Sequence, residues 1–149
     1  MYYHSSLFDL YLATSAIPSA GLGVFTNTYI PPNTCIDEYK GDIYKYRNAS
    51  CYILEITDTH YIDARDYPRC YMAMLNDCSH ITKQYIKKKK KRIDVTPAAY
   101  YDAHNRTLTI NCEFRIDETN KQAFIYSTAE IHPGSELFVS YGDEYWRNR

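Results

Sequence analysis

No C-x-x-C pair occurs in this chain, and its five cysteines, Cys35, Cys51, Cys70, Cys78 and Cys112, are widely spaced and odd in number. Structural zinc sites are built from close ligand pairs, so no metal is expected. A scattered, odd set is also a poor disulfide framework, and the cysteines read as reduced thiols of an intracellular protein. Net charge is equally scarce. The 17 Lys and Arg against 18 Asp and Glu leave −1, so no overall field draws the molecule to nucleic acid or to a membrane. No stretch is long and apolar enough to span a bilayer. The first segment, "MYYHSSLFDLYLATSAI", has no basic start and is interrupted by Asp9, which makes it a poor secretory signal. The G-x-S-x-G nucleophile elbow and the P-loop lysine motif are both missing, and so are internal repeats and linker-like stretches.

What remains suits one globular domain, residues 1–149. A hydrophobic content of 45% against 23% charged can build a single core and argues against global disorder. Tyrosine is the excess, at 17 residues, so composition alone cannot single out a catalytic tyrosine. The texture is mainly β, with few short helices. "FDLYLAT" alternates apolar and polar positions, "SAGLGVF" is a glycine-marked turn entering a strand, and "CIDEYKGDIY" is a strand interrupted at Gly41. "CYILEI" and "HYIDA" flank "TDT" as a hairpin. "TLTINCEFRID" puts Leu108, Ile110, Cys112, Phe114 and Ile116 on one face, and "QAFIYSTAEI" follows after a turn. One helix is expected in "DYPRCYMAMLN", capped by Asp66, with Pro68 in its first turn and Cys70, Tyr71, Met74 and Leu75 on one face. Near the end, "ELFVSYGDEYW" begins as a buried strand, with Leu137, Val139 and Tyr141 alternating against Glu136, Phe138 and Ser140. It then breaks at Gly142 and continues into Tyr145 and the single tryptophan, Trp146.

Residues 81–106 differ from the rest and read as an exposed basic insertion. They hold the run Lys87, Lys88, Lys89, Lys90, Lys91 and Arg92. Adjacent cations repel one another and resist burial. The run is either a solvated loop, or a nuclear import signal or clamp on nucleosomal phosphates.

Taken singly, the polar motifs are weak. Gly21 and Gly23 form a G-x-G that is either a tight turn or a place where backbone amides approach a ligand. "NDCSH" can be a helix end, and "EYKG" a strand end. Their order carries more. "GLGVFTNTYIPPNTCIDEYKGDIY", "MLNDCS", "NCEFRI" and "IHPGSELFVSYGDEYW" run from about Ser19 to Trp146 in the sequence of motifs that marks SET-domain protein lysine methyltransferases. The chain resembles that family, and in particular the short stand-alone SET proteins of viruses and some microbes, which lack flanking zinc regions.

The resemblance implies several small β-sheets, with the N-D-C-S segment and the C-terminal Y-G strand forming a pseudoknot at the site. It implies methyl transfer from S-adenosyl-L-methionine to a lysine of a peptide or histone tail. By motif position, Tyr141 resembles the catalytic tyrosine, and Tyr39 would line the lysine channel. Gly21, Leu22, Gly23, Asn76, Asp77 and Trp146 would bind the cofactor. Val139, Tyr145 and Asn111 would face the substrate. Valine at 139 cannot tether a water, which implies a product beyond monomethyl-lysine. The chain departs from the family in having N-D-C-S for N-H-S-C, Ala73 and Met74 for an Arg-Phe pair, and Ile110 for the proline before Asn111. A nuclear location is implied, with the cytoplasm as the alternative. The competing readings are a SET module that binds peptide or chromatin without turnover, a methyltransferase of non-histone proteins, and a nucleic-acid-binding protein built on the basic run, where nucleosome or DNA contact would lie.

Overall fold

The computed structural model describes residues 1–79, 107–142 and 145. The chain forms ten short strands among these residues: β1 (Tyr2–Tyr3), β2 (Leu10–Thr14), β3 (Leu22–Thr26), β4 (Cys35–Glu38), β5 (Asp42–Tyr44), β6 (Ile53–Thr57), β7 (His60–Asp63), β8 (Arg69–Cys70), β9 (Cys112–Asp117) and β10 (Gln122–Ser127). They make four small sheets: β1 with β8, β2 with β3, β4-β10-β9 and β5-β7-β6. All pairings are antiparallel except β1 with β8. The β6–β7 hairpin and the entry into β3 follow the sequence reading. Gly21 has φ +76°, the left-handed region where a side chain is strained.

The expected strand break at Gly41 has a steric cause. A Cβ at Gly41 would collide with the backbone carbonyl of Asp63, so the chain can pass the end of β7 only as glycine. There it leaves the β4 sheet for the β5 sheet. The corner carries Tyr39 inward, with its backbone N–H bonded to the Ala123 carbonyl at 2.8 Å and its ring buried.

The helix expected over 66–76 is replaced by a single 3₁₀ turn, Tyr71–Met74. Asp66 does not cap it; the turn starts from Cys70 in extended backbone without a side-chain cap. Tertiary contacts override the periodicity here. Arg69 and Cys70 are drawn into a strand with β1, and Arg69 bonds the carbonyls of Ala64 and Arg65. Too few residues remain to offset helix nucleation. Met72, not a member of the expected face, is the buried residue of the turn. "TLTINCEFRID" is strand only from Cys112, and Ile116 is exposed.

The C-terminal "ELFVS" is also not the alternating strand its pattern suggests. Glu136, Leu137, Phe138 and Val139 are all buried. The segment makes isolated bridges to three separate partners, Phe25 with Glu136, Asn76 with Phe138 and Cys112 with Val139. It is a thread passed between elements, with no free face, so alternation carries no information about exposure. The Leu137 N–H bonds the Val24 carbonyl at 2.8 Å, the Val139 N–H bonds the Asn76 carbonyl at 3.0 Å, and the Phe138 carbonyl accepts from Cys112 at 2.9 Å. Around the thread the core closes on Val24, Ile30, Ile125, Ile131 and Leu137, all essentially inaccessible to solvent. Each such aliphatic side chain contributes about 1.5–3 kcal/mol by burial.

Candidate active site

A cavity of about 470 Å³ opens beside the thread, within the range of small-molecule sites, roughly 300–1,000 Å³. One wall is the segment after the 3₁₀ turn, including Leu75, Asn76 and Asp77. A second is the 51–54 stretch with Tyr52. Leu22 and the 17–20 turn form a third, and Tyr39, Phe114, Val139, Tyr141 and Tyr145 complete it. Asp77 is the only Asp, Glu, Lys, Arg or His among its described lining residues.

Two phenols are fixed in this wall by backbone acceptors. The Tyr39 hydroxyl donates to the Tyr52 carbonyl at 2.6 Å, and the Tyr141 hydroxyl donates to the Leu75 carbonyl at 2.5 Å. The Tyr145 ring stands edge-on to Tyr141, centroids 4.7 Å apart. Burial pushes both Tyr39 and Tyr141 well above the ordinary phenol value, and at Tyr141 the neighbouring Tyr145 and Asp77 add to it. Both phenols therefore stay protonated at neutral pH. They are hydrogen-bond donors, not bases.

The thread is held by polar side chains from several segments. Asn111 donates from Nδ2 to the Glu136 carbonyl at 3.0 Å and accepts the Phe138 N–H at 2.8 Å. Asn76 donates to the Leu22 carbonyl at 3.0 Å. Glu136, 5% exposed, accepts from the Ser15 hydroxyl at 2.7 Å and the Ala16 N–H at 2.9 Å. Burial raises the Glu136 carboxyl above its usual range, against the pull of these bonds.

The connectivity of this arrangement is that of a threaded segment crossing a G-x-G strand, an N-D-C-S turn and an N-C-E-F strand. The family model of the SET domain matches residues 21–142. The chain belongs to the SET-domain family. The family is one of protein-lysine methyltransferases, which in general use S-adenosylmethionine and bind peptides. A comparison with curated proteins gives no match.

Within this SET domain the expected site residues are only partly gathered. Tyr39, Tyr141, Tyr145, Val139, Leu22, Asn76 and Asp77 line the cavity; Gly21, Gly23 and Asn111 do not. Gly21 shapes the turn before β3. Gly23 makes room for the Glu136 carboxylate, which a Cβ there would strike. The Asn111 side chain is spent on the thread. Trp146, the run Lys87–Arg92 and the 81–106 insertion lie outside the described residues.

Several residues of the cavity wall and its supports were not expected at the site from the sequence. Tyr52, Phe114 and Leu75 sit in the wall, and Glu136 is a hub for three segments. Tyr52 is itself braced by Arg69, whose guanidinium lies 4.1 Å from the Tyr52 ring centroid and donates to its hydroxyl at 3.1 Å. With so many tyrosines, no local pattern distinguishes Tyr52. Glu136 did carry a signal, as an acid directly before the apolar run Leu137–Val139, since a buried carboxylate needs partners. Among the described residues, no group of three or more His, Cys, Asp or Glu is placed to hold a metal. No helix among them is long and apolar enough to cross a membrane.

Proposed function

We propose that this SET domain is an S-adenosylmethionine-dependent protein-lysine N-methyltransferase acting on a histone tail. The observation that carries the reading is the pair of carbonyl-anchored phenols, Tyr39 and Tyr141, in one aromatic cavity whose described wall has a single charge, the Asp77 carboxylate.

The donor set fits the cofactor. No cation among the described lining residues opposes a cationic guest, and the tyrosine faces attract one through cation–π contacts. Asn76, Leu22 and the backbone of the 17–20 turn would hold the cofactor. When bound, the cofactor would supply a sulfonium methyl group to the lysine Nζ, with the neutral thioether S-adenosylhomocysteine as the leaving group. The protein's task is to deliver a neutral amine. Free lysine has a pKa near 10.4. Tyr39, Phe114, Tyr141 and Tyr145 desolvate it, which favours the uncharged form. Because Tyr141 is itself protonated, it aligns the amine and does not deprotonate it. Alignment of this kind is worth roughly 7–11 kcal/mol of barrier.

We propose further that the basic run from Lys87 to Arg92 contacts nucleosomal phosphate and that the protein acts in the nucleus. Net charge of −1 favours a local contact of this sort over a general nucleic-acid-binding role. The test is transfer of labelled methyl from the cofactor to a panel of histones and non-histone proteins, with mass spectrometry of the modified peptide. Label on a histone lysine is expected. Label confined to non-histone proteins would move the substrate, and binding of S-adenosylmethionine without transfer would favour a non-catalytic module.

A further inference from the structure

Asp77 is almost fully buried, and both of its carboxylate oxygens are engaged by the protein. Oδ2 accepts the backbone N–H of Tyr141 at 2.8 Å. Oδ1 accepts the backbone N–H of Ser79 at 2.8 Å and the Ser79 hydroxyl at 2.5 Å. The two sets of donors belong to segments far apart in the chain. Tyr141 lies beyond the last bridge of the thread, the one between Cys112 and Val139. It is flanked by Ser140 and Gly142, both exposed. Its hydroxyl is fixed to the Leu75 carbonyl. The short stretch from Leu75 to Asp77 therefore grips Tyr141 at both ends, backbone and phenol.

The residue type follows from the donors. A carboxylate offers acceptors on both arms. An asparagine would turn its NH₂ toward one of the donors, and a neutral imidazole has a single acceptor nitrogen. Bonds from backbone N–H to an ionised acceptor are among the stronger ones.

We propose that Asp77 is a positioning residue for methyl transfer: its carboxylate pins the backbone of Tyr141, and so fixes where the Tyr141 hydroxyl stands, while its side chain does not bind the cofactor. The inference rests on the reading of Tyr141 as the residue at the reacting centre. It accounts for an aspartate here without assigning it the contacts to cofactor that its motif position implies.

The test pairs kinetics with calorimetry on Asp77→Asn. The expected result is a kcat lowered by about tenfold or more, with the dissociation constant for S-adenosylmethionine and the peptide KM each within about twofold. A weakened cofactor affinity with kcat retained at saturation would overturn it, because that is the behaviour of a cofactor contact. A second measurement needs no variant and no activity. In wild-type protein the Tyr141 amide should exchange with solvent at least about tenfold more slowly than in an unfolded chain; exchange at the unfolded rate would remove the tether. Wild-type protein that transfers no methyl would overturn the methyltransferase reading and the catalytic half of this inference with it. The exchange rate would still decide the tether.

Discussion

The Glu136 carboxylate occupies the space where a side chain at Gly23 would begin: a Cβ there would come within 2.9 Å of Glu136 Cδ and 3.2 Å of Asn76 Nδ2. One glycine thus lets the G-x-G strand, the thread and the N-D-C-S segment converge.

Gly23→Ala should therefore cost more than Gly21→Ala. At Gly23 the carboxylate must move and give up bonds to Ser15 and Ala16, a loss of about 1–3 kcal/mol. At Gly21 there is open space, and only the left-handed backbone at φ +76° opposes the substitution, at about 1 kcal/mol. Denaturant unfolding of the two variants checks the order. Equal destabilisation would mean that Glu136 does not fill the site as described.

Glu136 also gives a pH dependence. Burial raises its folded carboxyl above the unfolded value, which is about 4.3. Between the two values the folded state holds more protons than the unfolded state, so its contribution to stability is present below the unfolded value and is lost as pH rises through the folded one. Glu136→Gln cannot titrate. Its melting temperature should fall less than that of the wild type as pH rises from about 4.3 through the folded value. Parallel curves for the two proteins would contradict the assignment.

On the proposed function, product multiplicity would turn on Val139. Val139 is buried and lines the cavity, and it offers no hydroxyl to hold a water. The wild-type protein should pass beyond monomethyl-lysine under excess cofactor, read by mass spectrometry at long incubation. Tyrosine at 139 would overpack a filled position, so Val139→Thr, which adds a hydroxyl at nearly constant volume, is the better probe. It should shift product toward lower methylation. Exclusive monomethyl product from the wild type would contradict this role for Val139.

How far the sequence showed all this depended on the range of the forces involved. Strands β2, β3, β6, β7 and β10 follow local alternation and turn residues. The break at Gly41 was visible too, although its cause, the Asp63 carbonyl, is a contact between separate sheets. The helix over 66–76 failed because β1, far away in sequence, captures Arg69 and Cys70. The thread at Glu136–Val139 misled because alternation reports one buried face, and this segment has none exposed. Motif order pointed to Tyr39 and Tyr141, which the fold brings into one cavity wall. It could not reveal that Gly23 and Asn111 serve the thread, or that Tyr52 and Leu75 supply the carbonyls that hold the two phenols.

The most direct test of the central claim, that this cavity aligns a lysine with its methyl donor, is the turnover of Tyr141→Phe measured alongside its cofactor affinity. The phenol is fixed by the Leu75 carbonyl and stays protonated, so its loss should act on the transition state and not on ground-state binding. The expected result is a kcat lower by about a hundredfold or more, on the order of 3 kcal/mol, with S-adenosylmethionine bound within about twofold of wild type. A variant that turns over at close to the wild-type rate would contradict it.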